Sequence, residues 1–374
     1  MLKRFYDLEK MLKSNKVLLL YGPRQVGKTT LLQDMLKKTH LKYKSDNGDS
    51  LKLQQLFSSQ DFDLILEYAQ GYDLITIDEA QKIPNIGIGL KILVDNIKNI
   101  RVLVTGSSSF ELAQQTGEPL TGRKRTRTLY PLSQIELKDI YNDFELKENL
   151  KDFLIFGSYP EIITAKNSQE KITALEEISD SYLLKDVLAL EKIKKPEKLV
   201  KLLKLLAFQV GNEVSFHELA IQLKLDVKTI EKYIDILEKA FVIKTLGAYA
   251  RNLRKEITTK NKIYFYDNGI RNAIINNYNN LENRDDIGAL WENFIVMERL
   301  KKQAYHEIHA NNYFWRTYSG QEVDWIEERD GKLLGYEFKW NTHKKPKAPK
   351  LWLTTYKNTN WEIITPDNYL SFLT

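Results

Sequence analysis

The sequence predicts an α/β chain, with a parallel sheet at its start and a second α/β domain at its end. Three observations predict it. Gly22-Pro23-Arg24-Gln25-Val26-Gly27-Lys28-Thr29 fits the pattern G-x-x-x-x-G-K-T and lies between an apolar run, Val17–Leu20, and a helical pattern from Thr29 to Leu36. Two more short apolar runs, Asp73–Glu79 and Arg101–Thr105, alternate with helical stretches, as parallel strands do. Near the other end, strand-like runs flank an Asp330-Gly331 turn, which reads as a hairpin.

The glycine loop joins a strand to a helix N-terminus, where unpaired N–H groups and the helix dipole favour a polyanion. Gly22 and Gly27 permit a tight backbone path. The predicted nucleotide-binding set is Gly22, Pro23, Arg24, Gln25, Val26, Gly27, Lys28, Thr29 and Thr30, with Lys28 reaching the β- and γ-phosphates and Thr29 holding Mg²⁺. The second strand ends in Asp78 and Glu79. Asp78 suits the same Mg²⁺, and Glu79 can orient and activate an attacking water. The third ends at Thr105, followed by Gly106-Ser107-Ser108-Ser109. Thr105 or Ser107 is placed to sense a γ-phosphate; the serines equally suit a helix cap.

At 374 residues the chain has length for two or three domains. With 43% hydrophobic and 28% charged residues it has an ordinary globular composition. The absence of cysteine excludes disulfides, iron–sulfur clusters and cysteine-bound zinc, and fits a reducing cytoplasm. The opening segment Met1–Leu8 is mixed and amphipathic, so neither a signal peptide nor a membrane-spanning helix is expected, and the expected location is cytoplasmic. A net charge of +6 permits nucleic acid as a partner without requiring it. Of the five histidines, only His306 and His309 are spaced to share a helix face, and no third ligand follows.

Between the first helix and the acidic strand the pattern gives a strand at Leu41–Lys44 and a helical stretch near 51–69. A helix near 88–98 and a last strand at Thr126–Tyr130 complete the first unit, which Pro131 closes. Thr121-Gly122-Arg123-Lys124-Arg125 is either a solvated basic loop or the source of an arginine finger for a neighbouring subunit's γ-phosphate, with Arg123 the leading candidate and Arg125 the alternative. Residues 132–195 read as largely helical, with a turn at Phe156–Glu161.

Residues 197–266 read as a winged helix-turn-helix. Ser215-Phe216-His217-Glu218 has the capping-box pattern, and Asp226 caps a second helix whose apolar stripe is Val227, Ile230, Ile234 and Leu237. Lys228, Thr229 and Lys232 face elsewhere. The following segment carries Arg251, Arg254, Lys255, Lys260 and Lys262 against one acid, Glu256. A basic wing suits a phosphate backbone and the second helix a major groove; such modules also serve as protein contacts. The predicted DNA-binding residues are Lys228, Lys232, Arg251, Arg254 and Lys255.

In the last region Asp324 lies within one strand of the hairpin, and Glu337 and Lys339 share a face of the other. Two carboxylates and a lysine on adjacent strands can bind Mg²⁺ and activate a water, and Glu292 on an earlier helix can reach the same metal. The alternative is an ordinary exposed E-x-K face. Lys344, Lys345, Lys347 and Lys350 follow and suit a phosphate backbone.

Together these motifs resemble a family of bacterial and archaeal AAA-type (AAA+) P-loop ATPases with a winged helix and a C-terminal restriction-endonuclease-like domain. The resemblance is carried by Tyr21–Thr30, Ile77–Pro84, Thr105–Ser109, Leu120–Arg123, Gly157–Glu161, Tyr264–Gly269 and Gly288–Phe294. Where the family usually has Phe before the proline of the fifth stretch, this chain has Tyr159. The resemblance implies an AAA+ core at 1–131, a helical lid at 132–195, a winged helix at 196–270 and a nuclease-type domain at 271–374. It implies ATP and Mg²⁺ at Lys28, Thr29, Asp78 and Glu79, and a nuclease-type centre of Glu292, Asp324, Glu337 and Lys339, with Glu292, Asp324 and Glu337 as metal ligands.

The leading functional expectation is an ATP-hydrolysing, DNA-stimulated motor in a ring or similar homo-oligomer. Its catalytic residues would be Lys28, Glu79, Thr105 and a neighbour's Arg123, with metal-dependent nuclease activity as a further expectation. The alternatives are a nucleotide-gated switch that binds a protein partner, and a DNA-binding regulator with a silent nuclease fold.

Overall fold

A computed structural model describes residues 2–107, 119–180, 193, 195–249, 261–317, 320–341 and 346–374. The chain divides into two compact units, Met1–Tyr130 with Lys239–Phe241, and Pro131–Glu238 with Val242–Thr374.

The first unit is built on a five-stranded parallel sheet in the order β2-β3-β4-β1-β5. Its strands are β1 (Lys16–Tyr21), β2 (Tyr43–Asn47), β3 (Leu74–Asp78), β4 (Arg101–Gly106) and β5 (Lys124–Thr128). The apolar runs of β1, β3 and β4 fall in the middle and are buried along almost their whole length, as strands covered on both faces must be. The more polar β2 and β5 form the edges. Helices α1 (Leu8–Met11), α2 (Lys28–Lys38), α3 (Leu51–Ser59), α4 (Phe62–Ala69) and α5 (Ile86–Asn96) belong to this unit. The single helical stretch expected over 51–69 is two helices. Gln60 turns left-handed at φ 56°, and the Asp61 carboxylate accepts from the Leu64 N–H to start α4. The last strand begins two residues before the expected Thr126, at Lys124.

The second unit opens with short helices from Gln134–Leu137 to Ser168–Ser179. Helix Pro196–Phe208 follows, then β6 (Glu213–Val214), helices Phe216–Leu223 and Val227–Lys239, β7 (Ile243–Leu246) and β8 (Asn261–Phe265). The strands form a small antiparallel sheet, β6-β8-β7. Ser215 and Asp226 act as the sequence suggests, accepting from the N–H groups of Glu218 and Thr229 at the starts of their helices. Ile230, Ile234 and Leu237 are buried, and Lys228 and Lys232 are exposed.

A mixed sheet follows, in the order β12-β11-β10-β9. Its strands are β9 (Asn311–Arg316), β10 (Glu322–Arg329), β11 (Lys332–Phe338) and β12 (Thr359–Ile364), and the largely buried helix Ile287–Tyr305 precedes them. The β10–β11 turn is the expected Asp330-Gly331, both at positive φ. The two sheets meet: beyond β7 the Tyr249 N–H donates to the Phe314 carbonyl of β9 at 2.7 Å, and Phe314 donates back to Gly247 at 3.1 Å. Tyr305 ends the long helix, so His306 and His309 do not share a helical face.

Candidate nucleotide site and carboxylate centre

The glycine loop connects β1 to α2 as the pattern requires. Gly22 has φ 150°, and a Cβ there would lie 2.1 Å from the Leu129 carbonyl oxygen. Gly27, left-handed at φ 92°, is the N-terminal cap residue of α2. A Gly22→Ala change is therefore expected to push the loop off the segment after β5, to destabilise the unit by about 1–3 kcal/mol, and to abolish nucleotide binding; thermal melts with and without ADP check both.

Lys28 is buried. Its ammonium donates to the carbonyls of Gly22 at 2.8 Å and Pro23 at 2.6 Å. Burial lowers its pKa to about 8, against the pull of Glu79 and Asp78. Since only the ammonium attracts phosphate, nucleotide affinity is expected to weaken as the pH rises above about 8, and Lys28→Arg to remove that fall; binding titrations between pH 7 and 9.5 test it.

The parallel sheet brings three separate strand ends together. The Thr29 hydroxyl donates to Asp78 Oδ2 at 2.7 Å, and the Thr105 hydroxyl donates to Asp78 Oδ1. Thr105 Oγ1 also accepts from the Glu79 N–H at 3.2 Å. Glu79 sits just past β3 in a left-handed conformation, φ 52°. Two residues here escaped the sequence reading. Gln81 donates to Glu79 Oε2 at 2.5 Å and to Ser107 Oγ at 3.1 Å, so it ties the second acid to the end of β4. Arg4 donates to the Val26 carbonyl inside the loop and to the Tyr130 carbonyl at 2.6 Å. Nothing local marked Arg4, whose partners lie 22 and 126 residues away, while Gln81 stood within Ile77–Pro84, two residues from Glu79, without a role assigned to it. The donor set fits a magnesium nucleotide: a cation, a hydroxyl–carboxylate pair and a second acid at the mouth of a glycine loop.

Arg123 precedes β5 at the end of the sheet where the strands begin, the end opposite the loop. Its Nε donates to Asp95 at 2.5 Å. Arg125 is exposed on β5.

In the second unit, Asp324 on β10 and Glu337 on β11 each lie one residue beyond the paired Trp325 and Tyr336, close enough for their like charges to repel. A bulge in the β9–β10 pairing falls at the same place, between Val323 and Ile326. Ligand oxygens of Glu322, Asp324 and Glu337 lie within 4.8 Å of one another. Asp324 Oδ2 accepts from the Phe338 N–H at 2.9 Å. Glu337 Oε1 takes Lys339 at 2.6 Å, while its Oε2 is buried with no hydrogen-bond donor. Burial and the charge of Asp324 hold the Glu337 carboxyl up at about 7, Lys339 opposing.

The wing reading of Lys262 is corrected here. Lys262 is buried on β8, and its ammonium lies 2.8 Å from Glu292 Oε1 and 3.5 Å from Asp324 Oδ1. Tyr264, two residues on and so on the same strand face, donates to Glu292 Oε1 at 2.7 Å. Burial alone would depress the Lys262 ammonium, but Glu292 and Asp324 hold its pKa above the ordinary value. The centre fits a divalent ion only in part. Three carboxylates converge, while Glu292 already has a resident cation. Arg251, Arg254, Lys255, Lys260, Lys344 and Lys345 lie outside the described residues.

Three of the sequence phrases meet in a buried junction rather than a cleft. A Cβ on Gly157 would lie 1.8 Å from the Asp267 carboxylate, which accepts from the Ser158 N–H at 2.8 Å. Asn293 exchanges hydrogen bonds with the Phe265 backbone and donates to Asn268 at 2.6 Å. Gly157–Glu161, Tyr264–Gly269 and Gly288–Phe294 therefore hold this unit together.

Sheet, loop and acidic strand end together define a nucleotide-binding P-loop chain of the AAA type, and residues 14–138 match the model of the AAA domain. Residues 147–281 and 287–365 match two domains of unknown function, DUF8612 and DUF4143. An uncharacterized protein of Mycobacterium tuberculosis is 30% identical over 335 residues, covering 89% of this chain and 72% of its own length, and one of Mycobacterium bovis matches equally. An uncharacterized protein of Methanocaldococcus jannaschii is 24% identical over 387 residues, covering 96% and 84%. The chain belongs to the family of these mycobacterial proteins. A crystal structure of a signal transduction ATPase with numerous domains, with a tetratricopeptide repeat sensor, from Pyrococcus horikoshii aligns over 79% of this chain and 44% of its own. Its identity of 14% and TM-score of 0.30 are too low to bear on function. Among the described residues no helix is long and apolar enough to cross a membrane.

Proposed function

We propose that this chain is an ATP-hydrolysing, DNA-stimulated machine that works as a homo-oligomer. The observation that carries the hydrolysis is the network Thr29–Asp78–Thr105, with Glu79 fixed beside it by Thr105 and Gln81. Lys28 and the loop N–H groups would hold the phosphates, and Thr29 with Asp78 would hold Mg²⁺. Bound Mg²⁺ would supply charge neutralisation at the phosphates. Glu79 would take the proton of the attacking water, and Thr105 keeps Asp78 oriented for the metal.

Arg123 supports an assembly. It lies at the opposite end of the sheet from its own loop, so in this reading it would leave Asp95 to act on a neighbour's nucleotide. Reading residues 196–270 as a winged helix rests on three helices with the sheet β6-β8-β7, and Lys228 and Lys232 on the exposed side of the second helix support DNA contact. Asp324 and Glu337 on adjacent strands, with Lys339 just past β11 and Glu292 close by, support a restriction-endonuclease-like domain.

The test is the ATPase rate with and without single-stranded, duplex and four-way-junction DNA at moderate salt. A rise with one form is expected, and its size should fall when Lys228 and Lys232 are replaced by Gln. A slow rate unchanged by every form would refute the DNA reading and favour a nucleotide-gated switch with a protein partner.

A further inference from the structure

The carboxylate centre of the second unit already holds a cation of the chain's own. Lys262 reaches it from β8, outside the strands that carry Asp324 and Glu337, and its side chain is 6% exposed. It contacts two different acids, Glu292 from the long helix and Asp324 from β10. Tyr264 completes the lining on the Glu292 side, and the bare Gly211 backbone lies against Glu292, where a Cβ would be 3.4 Å from Oε2. The other acids are matched in part, Glu337 through Oε1 alone. Lys339 takes Glu337 at 2.6 Å, and Arg316 approaches Glu322 at 3.8 Å. A group of buried carboxylates is stable only when its charge is neutralised. Here the neutralising groups are side chains, so a divalent ion would bring its two positive charges against the Lys262 ammonium.

We propose that Lys262 is the resident cation of this centre and that it keeps a divalent ion out: a metal enters only when the ammonium leaves Glu292 and Asp324. The proposal rests on the nuclease-like reading of the domain and adds a block to it. Glu292 is then the partner of Lys262 in the closed centre and becomes available to a metal only when β8 shifts.

The test is Mn²⁺ binding by the full-length, nucleotide-free chain, measured calorimetrically, with thermal melts on the same samples. Wild type is expected to bind no Mn²⁺ that depends on Asp324. Lys262→Met is expected to gain one Asp324-dependent site, at least about tenfold tighter than any in wild type, and its melting temperature should rise with Mn²⁺. Lys262→Arg, which keeps the charge, should gain none. Tight Mn²⁺ binding by wild type, lost in Asp324→Asn, overturns the block while leaving the metal-centre reading intact. This measurement stands even if Lys262→Met fails to fold. If neither wild type nor Lys262→Met binds Mn²⁺ at Asp324, the block and the metal-centre reading fail together.

Discussion

Glu79→Gln is expected to lower ATP turnover by about two to three orders of magnitude, the usual size of a lost general base, while ATP binding stays near its original strength. The expectation follows from how Glu79 is held. Its backbone N–H is fixed by Thr105, and its carboxylate accepts from Gln81. A glutamine has the same shape and keeps an acceptor oxygen, so the left-handed turn and the network behind it survive. What it loses is the basicity that, in the proposed mechanism, would take a proton from water. Lys28 and Asp78, which would carry phosphate and metal affinity, are untouched. Loss of turnover without loss of binding marks a group needed only in the transition state. Lys28→Ala should do the reverse and lose affinity first. Turnover would be measured beside fluorescent-nucleotide binding; a Glu79→Gln chain within about threefold of wild-type turnover would sink the assignment. Gln81→Ala should fall between, because it frees the Glu79 side chain without removing its charge.

What could be seen in the sequence was what depends on neighbours along the chain. The loop, the acidic strand end, the caps at Ser215 and Asp226 and the Asp330-Gly331 turn are written in runs of a few residues, and each appears where those runs place it. Residues that act across the fold stayed hidden. Arg4 reaches the loop from a segment with no distinguishing pattern. Lys262 sat among basic residues that suggested a wing, yet strand alternation turns it inward toward Glu292. Its inward position was in principle readable, since Lys262 and Tyr264 share one face of a short strand, but the acids it meets lie on other elements, thirty and more residues away along the chain. The phrases Gly157–Glu161 and Tyr264–Gly269 were visible as motifs, but only their packing shows that they form a junction.

Arg299→Met is expected to destabilise the second unit by about 3–5 kcal/mol, the range for stripping a buried carboxylate of its partner. Glu327 on β10 is fully buried and takes Arg299 in a two-pronged pair, at 2.5 Å and 2.9 Å. Arg299 also donates to the Phe372 carbonyl at 2.8 Å, tying the last helix, Tyr369–Leu373, to the long one. Arg329, 3.3 Å from Glu327 Oε2, is partly exposed and replaces only part of the lost charge. The pH dependence has a definite sign. Burial pushes the Glu327 carboxyl up, but Arg299 pulls it below its ordinary value. The pair therefore stabilises the fold above the pKa of a free glutamate, and that contribution is lost as pH falls through the lowered folded value. The gap between wild type and Arg299→Met should thus be widest near neutral pH and close under acid, which denaturant unfolding at several pH values would show. Arg299→Met with Glu327→Leu should recover much of the loss, because the cost lies in the unpaired charge rather than the missing bond. Glu327 lies three residues from Asp324 on the same strand, so this pair anchors the strand that presents the carboxylate centre. If the single change instead left stability within about 1 kcal/mol of wild type, β10 would be held by its pairing with β9 and β11 and its apolar packing, and the geometry around Asp324 would owe nothing to Arg299.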